Sequence, residues 1–192
     1  MRLGARDSHR RNAPPRLRLA LAASMAALSS CASADSSQLR AADSAVVESQ
    51  RVGQLLPRLS VATFSSDSAT IGGAAPQPIT LVSLWATYCG PCIEEMPALA
   101  ALQQRYAKRG LRVLAVSVDR GDAEVKAFLL KYPLSLRIGR DPTGTITAAI
   151  ANTALPQNLL IDADGRLLYR ANALGSGATP LDTAIDLALA VR

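Results

Sequence analysis

The stretch Ile79-Thr80-Leu81-Val82-Ser83-Leu84-Trp85 runs straight into Ala86-Thr87-Tyr88-Cys89-Gly90-Pro91-Cys92, and a long helical pattern follows. An apolar run of this length reads as a buried strand. The residues after it must turn sharply and open a helix, because Pro91 suits the first helical turn, where its missing N–H is not required. Both sulfurs then lie at a helix N-terminus. Unpaired backbone N–H groups and the helix dipole favour a thiolate there, which suits disulfide exchange. Side chains three apart on a helix have Cβ atoms about 5–6 Å apart. A disulfide needs roughly 3.5–4.5 Å, so slight tightening of the first turn joins the sulfurs. Cys89 falls at the exposed start of the turn, with Gly90 leaving space beside it. Cys92 falls one turn in, on the buried side. These positions make Cys89 the attacking thiol and Cys92 the resolving one.

Few other roles fit the pair. The chain has three cysteines, and its one histidine, His9, lies near the N-terminus. Zinc needs four ligands, and no second Cys pair or nearby His supplies them. A bridge closing two residues stabilises little, so a purely structural disulfide is a poor explanation. No metal and no other cofactor is expected.

The formal charge of +6 suggests nucleic acid until it is located. Residues 1–30 carry Arg2, Arg6, Arg10, Arg11, Arg16 and Arg18 against Asp7, and the remainder is almost neutral. No basic stripe with aromatics remains, so nucleic acid is excluded as a partner. The basic stretch and the apolar run Leu19–Leu28 read as an export signal, residues 1–30, too short to span a bilayer. Its end has two readings. Leu28-Ser29-Ser30-Cys31 resembles a lipoprotein box, with Cys31 lipidated as the first mature residue. Ala32-Ser33-Ala34 is an ordinary cleavage site. The lipoprotein reading is favoured. Residues 31–52 read as a flexible tether and 53–192 as one domain.

Within that domain, Leu59–Phe64 alternates as a half-buried strand, with Ala69–Ile71 as its return. A helix is expected from Pro91 to Lys108, containing Pro97 and stopped by Gly110. Further strands are expected at Leu111–Val118 and Leu134–Ile138, and helices at Asp122–Tyr132 and Thr143–Ala151. A hairpin at Asn158–Asp162 and Arg166–Arg170 turns on Asp164-Gly165, and a helix at Leu181–Val191 closes the chain. Strands alternating with helices imply an α/β fold with a mixed sheet.

The stretch from Leu84 to Pro97 resembles the active site of thioredoxin-like proteins, most nearly the exported TlpA/ResA branch. Leu155-Pro156 and the following strand to Asp162, with its Gly165 turn, resemble the second signature of that family. The resemblance spans about Gly53 to Arg192. It implies a thioredoxin fold with an N-terminal β-hairpin extension, and an exported thiol–disulfide oxidoreductase. It further implies a cis Pro156 beside the dithiol and a Leu155 backbone that pairs with an extended substrate segment. Without the resemblance, Pro156 is an ordinary trans proline opening a strand. Glu95 matches an acidic residue of that branch. It either tunes or deprotonates Cys92, or is a surface acid complementing the helix dipole. Trp85 shields the dithiol or simply packs in the core, and Tyr88 lines the rim with Gly90 and Pro91. Ser83 replaces the buried acid or amide of relatives, and Gln157 replaces the residue after the cis-proline, which puts partner choice in question.

The implied partners are protein disulfides or dithiols, a membrane electron donor, and the membrane itself if Cys31 is lipidated. The expected location is the bacterial cell envelope. The Gly-Pro pair is that of thioredoxin, whose potential of about −270 mV, against about −120 mV for a strong oxidant, favours a reductant. The rivals are an oxidase or isomerase using the same dithiol, a peroxidase, and a copper carrier.

Overall fold

The computed structural model describes residues 52–74, 78–150, 154–174 and 180–191. Cys31, the leader and nearly all of the tether lie outside these residues. The elements in chain order are β1 (Leu59–Ala62), β2 (Ser68–Ile71), β3 (Ile79–Trp85), α1 (Gly90–Tyr106), β4 (Leu111–Ser117), α2 (Asp122–Lys131), β5 (Arg137–Arg140), α3 (Thr145–Ala149), β6 (Gln157–Ile161), β7 (Leu167–Ala171) and α4 (Leu181–Ala190). A 3₁₀ turn, Ala107–Arg109, extends α1, and Gly110 ends it in the left-handed region at φ 102°.

Five strands form a mixed sheet in the order β5-β4-β3-β6-β7. β3 is central and buried along its whole length. It pairs parallel to β4 and antiparallel to β6. Its odd-numbered side chains, Ile79, Leu81 and Trp85, join Met96, Leu99 and Tyr106 of α1 and Ile185 of α4 in one core cluster. Its even-numbered Val82 and Leu84 meet Ile146 and Ile150 on the opposite face, together with Val61 and Ile71 of the β1–β2 hairpin. Alternation along each strand therefore splits the core into two layers.

The strand expected at Leu134–Ile138 lies instead at Arg137–Arg140. Leu134 and Leu136 are only partly buried, against the first cluster. Backbone pairing decides the register, not apolar content. β5 pairs with Leu114–Ser117, and Phe64 donates its N–H to Ile138 O at 3.0 Å. Thr63 bridges to Gly139. A Cβ at Gly139 would stand 2.7 Å from Val61 Cγ1, so only glycine lets the hairpin close onto this edge.

The Asp-Gly turn forms as expected. Gly165 has φ 85° and donates its N–H to Asp162 O at 3.2 Å. It has a second duty, since a Cβ there would fall 2.1 Å from the backbone oxygen of Gly73. Gly165→Ala is expected to cost about 3 kcal/mol through backbone strain and clash. Urea unfolding of the variant against the parent measures that loss.

Candidate active site

The loop leaving β3 delivers the dithiol. Cys89 N–H donates to Ala86 O at 3.0 Å, closing a turn, and Cys89 then serves as N-cap of α1. Its sulfur accepts the Cys92 N–H at 3.3 Å. The two cysteines are joined in a disulfide with Cα atoms 5.3 Å apart. Their surroundings differ as the sequence predicts. Cys89 is half-buried at the helix tip, whereas Cys92 is fully buried with Met96 and Leu99. Gly90 and Pro91 are exposed, and a Cβ at Gly90 would meet nothing within 4 Å. The Cys92 N–H points at the Cys89 sulfur, and the helix N-terminus favours negative charge there.

The other predicted residues separate into two groups. Tyr88 is 76% exposed at the rim. Trp85 is wholly buried and packs on Phe128 with ring centroids 5.3 Å apart, so it belongs to the core cluster that holds Cys92. The Leu155–Pro156 bond is cis. β6 starts directly after it, with Gln157 opposite Leu84 and Asn158 opposite Ser83. That register sets Pro156 level with Trp85, beside the loop that carries Cys89. Gln157 is fully buried, and its Nε2 donates to Ala171 O at 2.9 Å. It braces β6 to β7.

Glu95, one turn after Cys92, is half-buried and fully engaged. Asn158 Nδ2 donates to Glu95 Oε2 at 3.0 Å, and the Leu174 N–H donates to Glu95 Oε1 at 2.6 Å. The carboxylate thus ties the dithiol helix to the strand after Pro156 and to the loop after β7. Asn158 is fully buried, and its Oδ1 has no hydrogen-bond partner among the described residues. Ser83 and Asn158 are a directly opposed pair and share a sheet face, the one that holds Trp85 and Cys92. Sequence reasoning passed over Asn158. Its one available signal was a polar pair, Gln157-Asn158, heading the apolar run Leu159-Leu160-Ile161.

A second polar group was also missed. Asp119, just past β4, accepts hydrogen bonds from the Thr87 N–H at 3.0 Å, from Thr87 Oγ1 at 2.6 Å and from Ser117 Oγ at 2.7 Å. Its signal was Ser117-Val118-Asp119, two polar residues closing a buried strand.

Residues 51–184 match the protein family described as Redoxin. The chain belongs to the Redoxin family. This Redoxin chain is similar to the thiol-disulfide oxidoreductase ResA of Bacillus thuringiensis subsp. konkukian (strain 97-27), 33% identical over 87 residues, 45% of this chain and 50% of the relative. It spans half the length of that relative. It is 34% identical over 116 residues to the thioredoxin-like protein YneN of Bacillus subtilis (strain 168), covering 59% of this chain and 66% of YneN. Among solved structures it resembles a putative thiol:disulfide interchange protein DsbE from Chlorobium tepidum, with a TM-score of 0.61 and 23% identity over 73% of this chain and 99% of that one. The expected thioredoxin-like fold, with its hairpin extension, is met.

Glu95→Ala would leave Asn158 Nδ2 and the Leu174 N–H without their acceptor, at an expected cost of about 1–2 kcal/mol. Glu95→Gln keeps an acceptor for Leu174 and should lose less. Denaturant midpoints of the two variants, compared in the oxidised protein, read that order.

Proposed function

We propose that this Redoxin chain is an exported thiol–disulfide oxidoreductase that reduces disulfides in other proteins. The observation that carries the reading is the asymmetry of one disulfide: half-buried Cys89 at the helix tip and fully buried Cys92 behind it, with a cis-proline opening the strand that pairs with β3. The names of the similar proteins support it.

In the reduced protein the Cys89 thiolate attacks one sulfur of a substrate disulfide. The substrate S–S bond breaks, a mixed disulfide forms, and the departing substrate sulfur takes a proton. Cys92, deprotonated, then attacks the Cys89 sulfur. The mixed disulfide breaks, the second substrate sulfur leaves and is protonated, and Cys89–Cys92 is oxidised. Two electrons have passed to the substrate. A separate dithiol donor must return them before the next cycle. In this reading a membrane protein is that donor.

The reading assigns a role to each residue around the dithiol. Leu155 and Pro156 border the dithiol loop, and the Leu155 backbone would pair with an extended substrate segment. Tyr88, Gly90 and Pro91 form the exposed rim that a substrate meets, and Trp85 supports it from within the core. In this reading Glu95, one turn after Cys92, tunes Cys92 or takes its proton. Ser83 cannot act as a carboxylate base at neutral pH.

Export to the cell envelope is inferred from the basic, then apolar, N-terminal stretch, and anchoring from Cys31. Among the described residues no helix is long and apolar enough to cross a membrane. A lipid on Cys31 would supply the attachment.

Cys92→Ser should trap Cys89 in mixed disulfides with its substrates, visible as slower bands on non-reducing gels that vanish with reductant. Cys89→Ser should give none. Absence of trapped partners in the exporting cell would remove the exchange mechanism. Cys31→Ser should move the protein from the membrane fraction to the soluble one, and unchanged sedimentation would remove the anchor.

A further inference from the structure

We propose that Asp119 is a positioning residue for the dithiol: its carboxylate holds the turn that carries Cys89, and its charge opposes a thiolate there, which strengthens the protein as a reductant. The inference rests on the exchange chemistry proposed above and assigns a group outside it.

Asp119 is only 8% exposed. Burying a charged group is costly unless it is paired and hydrogen-bonded. Among the described residues Asp119 forms no ion pair with a basic side chain. Hydrogen bonds alone hold it. Thr87 gives it both the backbone N–H, at 3.0 and 3.3 Å from the two oxygens, and the hydroxyl, at 2.6 Å. Ser117 gives it a hydroxyl at 2.7 Å, and Ser117 Oγ in turn accepts the Asp119 N–H at 3.1 Å. The carboxylate is thereby fixed to the end of β4 on one side and to the active-site turn on the other.

Thr87 is two residues before Cys89, and the turn is closed by the Cys89 N–H on Ala86 O at 3.0 Å. Holding Thr87 by main chain and side chain together therefore fixes where Cys89 stands. The same link bounds the distance. Two residues of chain reach at most about 7 Å. The carboxylate thus stands at most roughly 10 Å from the Cys89 backbone, and among the described residues no cation is paired to it. Over that separation, at an effective dielectric between those of protein and water, one unit charge shifts the ionisation of another by about two- to tenfold.

The sign follows from charge. The disulfide is neutral, whereas the reduced form carries negative charge once a thiol ionises. A neighbouring carboxylate disfavours the reduced form and so pushes electrons toward a substrate. The helix tip pulls the other way. Asp119 offsets that pull, and the balance sets the potential.

The test equilibrates the purified full-length protein with glutathione redox buffers, under conditions where Cys89 ionises, and measures the reduced fraction by thiol alkylation. Asp119→Asn keeps the shape and removes the charge. Its equilibrium constant should move about two- to tenfold toward the dithiol, where tenfold corresponds to about 30 mV. Thr87→Val keeps the charge and removes one hydrogen bond from it, so its constant should move toward the disulfide. Circular dichroism establishes that each variant is folded. A folded Asp119→Asn with the parent constant overturns the proposal. If Asp119→Asn does not fold, Thr87→Val decides: a shift toward the disulfide supports the proposal and an unchanged constant overturns it. A parent protein with no reversible couple would refute the exchange reading itself, a distinct result.

Discussion

Burial of β3 between β4 and β6 is the constraint on which the rest of the structure depends. All seven of its residues are buried, and both of its edges are hydrogen-bonded. A strand clamped this way cannot slide, because a one-residue slip would exchange the side chains of its two faces. The loop after Trp85 therefore starts from a fixed point. Ala86, Thr87 and Tyr88 have little freedom before Cys89 caps α1. The reactive sulfur owes its position to a strand that carries none of the chemistry.

The two sulfurs divide the work because the helix presents them to different media. Cys89 stands at the tip, half-exposed. Cys92 stands in the layer of Met96 and Leu99, which a large partner cannot enter. In the proposed cycle a mixed disulfide on Cys89 is resolved from inside. Polar groups reach that apolar layer only by design of the sheet: Asn158 from β6, opposite Ser83, and the Glu95 carboxylate it holds. Glu95, one turn from Cys92, serves as a structural tie between the dithiol helix, β6 and the loop after β7.

Much of this was legible from the chain. The apolar run, the Cys-Gly-Pro-Cys spacing and the helix stop at Gly110 each follow from local rules, and the structure places them within a residue or two. The cis state of Pro156 was legible only by family resemblance, since nothing local distinguishes it from a trans proline. β5 was displaced because its strand is defined by pairing with β4 and by the bare backbone of Gly139, not by Leu134 and Leu136. Asn158 and Asp119 escaped for a common reason. Each acts on a residue dozens of positions away, and a hydrogen bond across such a separation leaves no periodic trace. The contact of Gln157 with the Ala171 carbonyl on β7 was equally illegible, since it joins two strands.

The pleat that divides the core has an effect on how this fold can diversify. The added hairpin seats Val61 and Ile71 on one face of the sheet, and the disulfide sits over the other. The strands between them act as a partition. Mutations that reshape the hairpin surface alter one side while the sulfur chemistry on the other is left undisturbed. An ancestral catalyst could thus gain new appendages, and with them new associations, without retuning its reactive centre.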